Sequence, residues 1–203
     1  MITQAGSASL VLASASPRRR EMLTALGAVF RATTVLVDER ALPGEPAPDY
    51  VRRVAMAKAC AARAAHGDSW ILAADTTVEI DGLILGKPRD AAAARVMLGQ
   101  LSGRTHRVLT AVVLLAPGGE AEVDEVAISL VRFRPLAASE IENYVATPEP
   151  FDKAGGYAVQ GFARRFVEEV VGSYTTVVGL PMELVESALR SRSLLGPQRT
   201  DSA

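Results

Sequence analysis

The sequence predicts an α/β protein, a mixed twisted sheet with flanking helices, folded as a single domain over residues 1–190. Three observations carry this reading. Strand and helix patterns alternate through the N-terminal half, as in a sheet covered by helices. Antiparallel hairpin signals then interrupt the alternation, which separates the chain from a simple doubly wound fold. Apolar residues make up 49% of the chain but aromatic ones only 5%, so the core must be built from Val, Leu, Ile and Ala. A length of 203 residues suits one large domain or two closely joined lobes.

Ser9 to Ala13 reads as a buried strand, and Ser14-Ala15-Ser16 turns the chain. Ser16 suits a helix cap and Pro17 the first helical position, where a missing N–H costs nothing. That helix carries Met22, Leu23 and Leu26 on one face and stops at Gly27. Val29 to Val37 reads as a second strand. Asp38 to Asp49 holds three prolines and a glycine and reads as a loop. Tyr50 to His66 is Ala-rich, with Val51, Val54, Ala55 and Lys58 at helical spacing, and Gly67 ends it. Trp70 to Ile80 is a strand, Asp81-Gly82 a hairpin turn and Leu83 to Leu85 the return.

Asp90 to Gln100 reads as helical. Arg107 to Ala116 is a long apolar strand, which Pro117-Gly118-Gly119 turns into another ending near Phe133. Ser139 to Thr147 is a short helix and Phe166 to Val171 a strand. Pro181 opens a last helix that runs to about Arg190. Ser191 to Ala203 is polar, lacks periodicity and is expected to be disordered.

The charge is nearly balanced, 22 basic against 23 acidic residues, which argues against a protein that rides on the nucleic-acid backbone. Any polyanion site must therefore be a local pocket. A single cysteine, Cys60, excludes an internal disulfide and fits a reducing compartment; it reads as a small core residue. The apolar run from Ser9 to Ser16 is too short to span a membrane. His66 and His106 are the only histidines and lie far apart, so neither a His-based metal cluster nor a Ser-His-Asp triad is supported.

Ser14 to Arg20 is the most informative segment. A strand feeds a helix start, whose free N–H groups and dipole favour an anion. Arg18 and Arg19 sit in the first turn, where basic residues oppose the dipole unless an anion is bound. The plainer reading is a capped helix with solvated arginines. Asp75 interrupts an apolar strand, which is costly unless the carboxylate is paired, bonded or metal-bound. It is a candidate metal ligand or general base, or else a turn cap at a strand end.

Lys87, in Gly86-Lys87-Pro88, suits a phosphate contact or an ordinary surface loop. Lys58 either snorkels from its helix or has an anionic partner. Glu39, at a strand end, is a candidate metal ligand. Asp152 to Gly161 places Asp152, Lys153 and Gln160 among glycines, and Gln160 offers both a donor and an acceptor suited to a base edge. Together these groups supply carboxylates, cations and an anion-friendly helix start, the inventory for a divalent metal and a polyphosphate.

The same segments resemble the Maf family. The matches are Leu12 to Arg19, Ala74-Asp75-Thr76, Leu85-Gly86-Lys87-Pro88, Leu101-Ser102-Gly103 with His106, Asp152-Lys153-Ala154-Gly155 and Val178-Gly179-Leu180-Pro181. They occur in the family's order and cover nearly the whole chain.

The resemblance implies a nucleoside triphosphate pyrophosphatase with an elongated α/β fold, two lobes, a central cleft and a divalent metal, Mg²⁺ or Mn²⁺. It implies a cytoplasmic homodimer, and both the housecleaning of nucleotides and the control of division are compatible with it. The balanced charge and the lack of a spanning segment predict no nucleic-acid or membrane partner. Asp75 falls at the family's proton acceptor, and Glu39, Lys58 and Lys87 at other catalytic positions, with Glu39 and Asp75 toward the metal. Ser14, Arg18, Arg19, Thr76, Lys153 and Gln160 fall at substrate-binding positions, of which Arg18, Thr76 and Gln160 match positions tied to substrate choice. Lys153 and Gln160 look like the dTTP/UTP branch. The alternatives are the branch acting on 7-methyl-GTP and a non-catalytic nucleotide-binding regulator of cell division.

Overall fold

A seven-stranded mixed sheet organises the chain in the computed structural model, which describes residues 9–195. β1 (Leu10–Ala13) lies between β2 (Phe30–Thr33) and β3 (Trp70–Ile80), parallel to both. β4 (Leu83–Leu85) folds back on the far end of β3. β5 (Thr105–Leu115), β6 (Ala121–Phe133) and β7 (Val167–Val171) extend the sheet in antiparallel steps from β3. The β3–β4 turn takes positive φ at both Asp81 and Gly82, the backbone that lets a two-residue hairpin match strand twist.

Helices cover both faces. α2 (Ala47–Arg63) lies on one face, where Val51, Val54, Ala55 and Ala59 meet Val11, Ala13, Ile71, Ala73, Leu109 and Ala111. α1 (Pro17–Ala25) and α6 (Met182–Ser191) cover the other face at the β1 end through Leu23, Val185 and Leu189. α3 (Ala91–Leu101) and α4 (Ala138–Val145) cover it towards β6 and β7, over a core rich in Phe133, Tyr144 and Phe166. Each fully buried Leu or Phe contributes about 1.5–3 kcal/mol. α1 begins as its sequence requires: Ser16 caps it, accepting from Arg19 N, and Pro17 fills the first position. No helix among the described residues is long and apolar enough to cross a membrane.

Several boundaries differ from the sequence reading. β2 stops at Thr33 instead of Val37, because its only partner, β1, ends opposite it at Ala13. Val35 and Val37 keep their apolar role by packing on the α2 face. α2 starts three residues early, at Ala47, since Pro48 is tolerated in a first turn. A short helix, α5 (Tyr174–Val178), and three single 3₁₀ turns after α4 carried no periodicity strong enough to read. Cys60 is exposed, not buried, because the buried stripe of α2 runs through residues 58, 59 and 62 and leaves 60 on the outer face.

The disordered tail expected from Ser191 begins too early. Ser191 ends α6, Leu194 and Leu195 pack on the α1–α6 core, and Arg192 pairs with Glu122. Residues 196–203 of that tail lie outside the described residues.

One feature of the sheet places the site. β1 pairs with β3 only as far as Ala13 opposite Ala73, while β4 joins the same edge of β3 only from Val78. Ala74 to Thr77 therefore has β5 on one side and no strand on the other. A sheet edge with no partner presents free backbone groups and side chains of both faces.

Candidate active site

A cavity of about 570 Å³ opens at this gap, at the carboxyl end of β1. It brings together all ten side chains singled out from the sequence: Ser14, Arg18, Arg19, Glu39, Lys58, Asp75, Thr76, Lys87, Lys153 and Gln160. Asp75 and Thr76 are consecutive strand residues and point to opposite faces. Both reach the cavity because it wraps the open edge.

On the α2 face, two carboxylates share one ammonium. Lys58 Nζ donates to Asp75 Oδ1 at 2.7 Å and pairs with Glu39 Oε1 at 2.7 Å. Lys58 lies on the buried stripe of α2, which is why a lysine at helical spacing with Val51, Val54 and Ala55 arrives over β3. Glu39 comes from the loop before α2, and its carbonyl accepts from Tyr50 Oη at 2.9 Å. Lys87, from the turn after β4, stands 3.5 Å from Glu39. No described residue hydrogen-bonds Asp75 Oδ2.

Burial pushes the Asp75 carboxyl above the usual aspartate range, and the Lys58 ammonium only partly offsets it. Glu39 moves the other way. Burial raises it, but the hydrogen bond and charge of Lys58 outweigh that and hold it below the usual range. Burial and the two carboxylates push Tyr50 up to about 12, so its hydroxyl stays a donor.

On the opposite face, Arg19 is buried and pairs with no carboxylate among the described residues. Nε donates to Gly179 O at 2.8 Å. Nη1 donates to Ala74 O at 2.9 Å and Ser14 Oγ at 3.3 Å. Nη2 donates to Thr76 Oγ1 at 3.0 Å. Four of its five N–H groups are thus used by the protein. Ala74 O is one of the backbone acceptors left open at the β3 edge. Burial lowers the Arg19 pKa, but arginine remains charged.

The third wall is the segment from Asp152 to Gln160. Gly155 N donates to Gly86 O at 3.1 Å, which ties this wall to the Lys87 turn. Gly155 has φ +68°, and an added Cβ would stand 2.9 Å from Val78 Cγ2, so only glycine fits. Tyr157 Oη and His106 Nε2 share a 2.7 Å hydrogen bond beneath the wall. Burial lowers His106 to about 4, so it is neutral at pH 7. Lys153 Nζ donates to Glu149 O at 3.0 Å and pairs with Asp152. Arg18 has no ion-pair partner among the described residues, and Gln160 is exposed at the mouth.

Tyr50, Tyr157 and Thr110 also shape the site and were not singled out, while His106 and Gly179 stood in the motifs that carry the resemblance but were given no role in the site. Thr110 had a legible signal, a polar residue inside an apolar strand, the same one that marked Asp75. Tyr50 and Tyr157 show none in the local pattern, because their contacts span many residues of chain.

The Maf-like protein family model matches residues 9–192. A relative from Anaeromyxobacter dehalogenans, named dTTP/UTP pyrophosphatase, is 53% identical over 183 residues, covering 89% of this chain and 92% of its own. Relatives bearing the same name from Methylococcus capsulatus and Aromatoleum aromaticum are 50% and 49% identical, and cover 97% and 89% of this chain and 96% and 95% of their own. The motifs around the cavity, the model match and these relatives place the chain in the Maf family.

Proposed function

We propose that the protein is a nucleoside triphosphate pyrophosphatase that splits dTTP and UTP into the monophosphate and pyrophosphate. One observation carries the reading: a buried carboxylate, Asp75, keeps one oxygen free in a cavity whose other charged groups are mostly cations. The named relatives support the substrates.

Asp75 acts as proton acceptor. Lys58 pins Oδ1, which fixes where Oδ2 points. Burial raises its basicity, which brings it closer to the proton it must take. Oδ2 receives a proton from a water that attacks the α-phosphorus, and pyrophosphate leaves. Attack at the α-position follows the family resemblance. Arg18 and Lys87 face the triphosphate as movable cations, beside Lys153, which Glu149 O and Asp152 hold in place. Arg19 supplies fixed positive charge whose orientation does not change during the reaction. Positioning and charge stabilisation suffice for such a transfer, without a covalent nucleophile.

Glu39 and Asp75 would hold a Mg²⁺ or Mn²⁺ ion. Two converging carboxylates fit such a hard, oxygen-preferring cation. When bound, it offsets phosphate charge. Among the described residues no larger cluster of His, Cys, Asp and Glu exists. A homodimer in the cytoplasm belongs to the same reading and rests on the family resemblance.

The test is pyrophosphate release with Mg²⁺ from dTTP, UTP, CTP, GTP and 7-methyl-GTP. Turnover of dTTP and UTP is expected. Turnover confined to 7-methyl-GTP would overturn the substrate assignment, and silence on all five would favour a nucleotide-binding regulator.

A further inference from the structure

Thr76 stands at the cavity wall in the middle of a hydrogen-bond chain whose direction is forced. Arg19 Nη2 can only donate, and it meets Thr76 Oγ1 at 3.0 Å. At the other end, Thr176 O can only accept, and Thr110 Oγ1 donates to it at 2.8 Å. Between them, Thr76 Oγ1 and Thr110 Oγ1 lie 2.9 Å apart. Thr110 has spent its one proton on the carbonyl. Thr76 must therefore donate its own proton to Thr110. The order runs Arg19 to Thr76 to Thr110 to Thr176 O, with no alternative assignment of the hydroxyl hydrogens.

The consequence falls on Thr76. A threonine hydroxyl has one proton and two lone pairs. Its proton goes to Thr110 and one lone pair to Arg19, so only the second lone pair is left for a ligand. Thr110 is fully buried at the centre of β5 and touches no ligand-accessible surface. It acts only through Thr76.

We infer that Thr110 is a positioning residue that makes Thr76 a pure hydrogen-bond acceptor, and that this acceptor selects the imide N–H of thymine or uracil over the bare ring nitrogen of cytosine. The inference rests on the proposed activity and names how that site tells its bases apart. Thymine and uracil share the imide donor. Cytosine offers a lone pair at the same ring position, so two acceptors would face each other. A site built around one polarity rejects the mismatched ligand because its buried groups are left unpaired.

The test compares kcat/KM for UTP and CTP in the parent, Thr110→Val and Thr110→Ser. The parent is expected to prefer UTP by about tenfold or more. Thr110→Val frees the Thr76 proton to turn towards the ligand, and the UTP to CTP ratio should fall by about tenfold, with Thr110→Ser restoring it. A general loss of packing would lower both rates and leave the ratio alone. Thr110→Ala repeats the measurement if the valine variant does not fold.

A parent that hydrolyses both equally overturns the inference, as does a ratio that Thr110→Val leaves unchanged. A parent ratio of dTTP to 3′-deoxythymidine triphosphate near tenfold, beside an unmoved UTP to CTP ratio, would assign the Thr76 acceptor to the sugar hydroxyl and overturn the base assignment. A parent that hydrolyses none of these nucleotides sinks the proposed activity itself.

Discussion

The two faces of the open β3 edge solve the problem of a buried charge in opposite ways. On the α2 face, Lys58 is neutralised by carboxylates, and each carboxylate keeps lone pairs for something else. On the other face, Arg19 has no counter-charge and is satisfied by neutral oxygens from four places in the chain. The first arrangement stores acceptors and suits proton transfer or a metal. The second stores positive charge and spends the donors. A cleft that must hold both a cation and a polyanion needs both, separated by a strand.

Four measurements test that contrast. The largest effect is expected from Asp75→Asn. It should lower kcat on the order of a hundredfold or more, much more than it raises KM, read by pyrophosphate release, because the proton acceptor is lost together with the charge that faces Lys58 and the metal. A variant turning over near the parent rate would remove Asp75 as the base and leave the α2 face without chemistry.

Arg19→Lys keeps the charge but not the fork. A point charge cannot reach Gly179 O, Ala74 O, Ser14 and Thr76 together, so buried acceptors lose partners. Urea unfolding should show a loss of about 2–3 kcal/mol. An undiminished stability would mean that Arg19 is held for its charge alone.

Lys87→Met probes the same charge at a half-exposed position. KM should rise about fivefold while kcat changes little, since a lysine at the mouth adds similarly to ground and transition states. A fall in kcat with constant KM would move Lys87 into the charge-stabilising set.

The smallest shift is in pH. Asp75 must be ionised to accept a proton and its folded-state pKa is raised, so the rate is lost as pH falls through a value above the ordinary aspartate range. In Lys58→Met the ammonium that lowers this pKa is gone, and the acidic limb of the kcat profile should move to higher pH. An unmoved limb would show that another group sets it.

Much of this was legible beforehand, for local reasons. Lys58 announced itself by sharing the helical register of Val51 and Val54, and Asp75 by interrupting an apolar strand. Ser16, Pro17, Asp81 and Gly82 marked their elements because caps and turns are decided within four residues. The exposed Cys60 and the packed Leu194 and Leu195 were misread where composition stood in for a contact.

By itself, then, the sequence determined the order of strands and helices, the helix caps and hairpin turns, and which side chains carry chemistry out of place. These follow from periodicity and from backbone preferences that act over a few residues. Only the tertiary structure decided that β1 stops opposite Ala73 of β3 and that β4 pairs with β3 only from Val78, leaving the gap that turns those side chains into one site. It alone decided that Arg19 spends four N–H groups on the protein and that Thr110 sets the direction of Thr76. Those facts depend on where strands end against one another and on hydrogen bonds between residues far apart in the chain, and no local pattern encodes them.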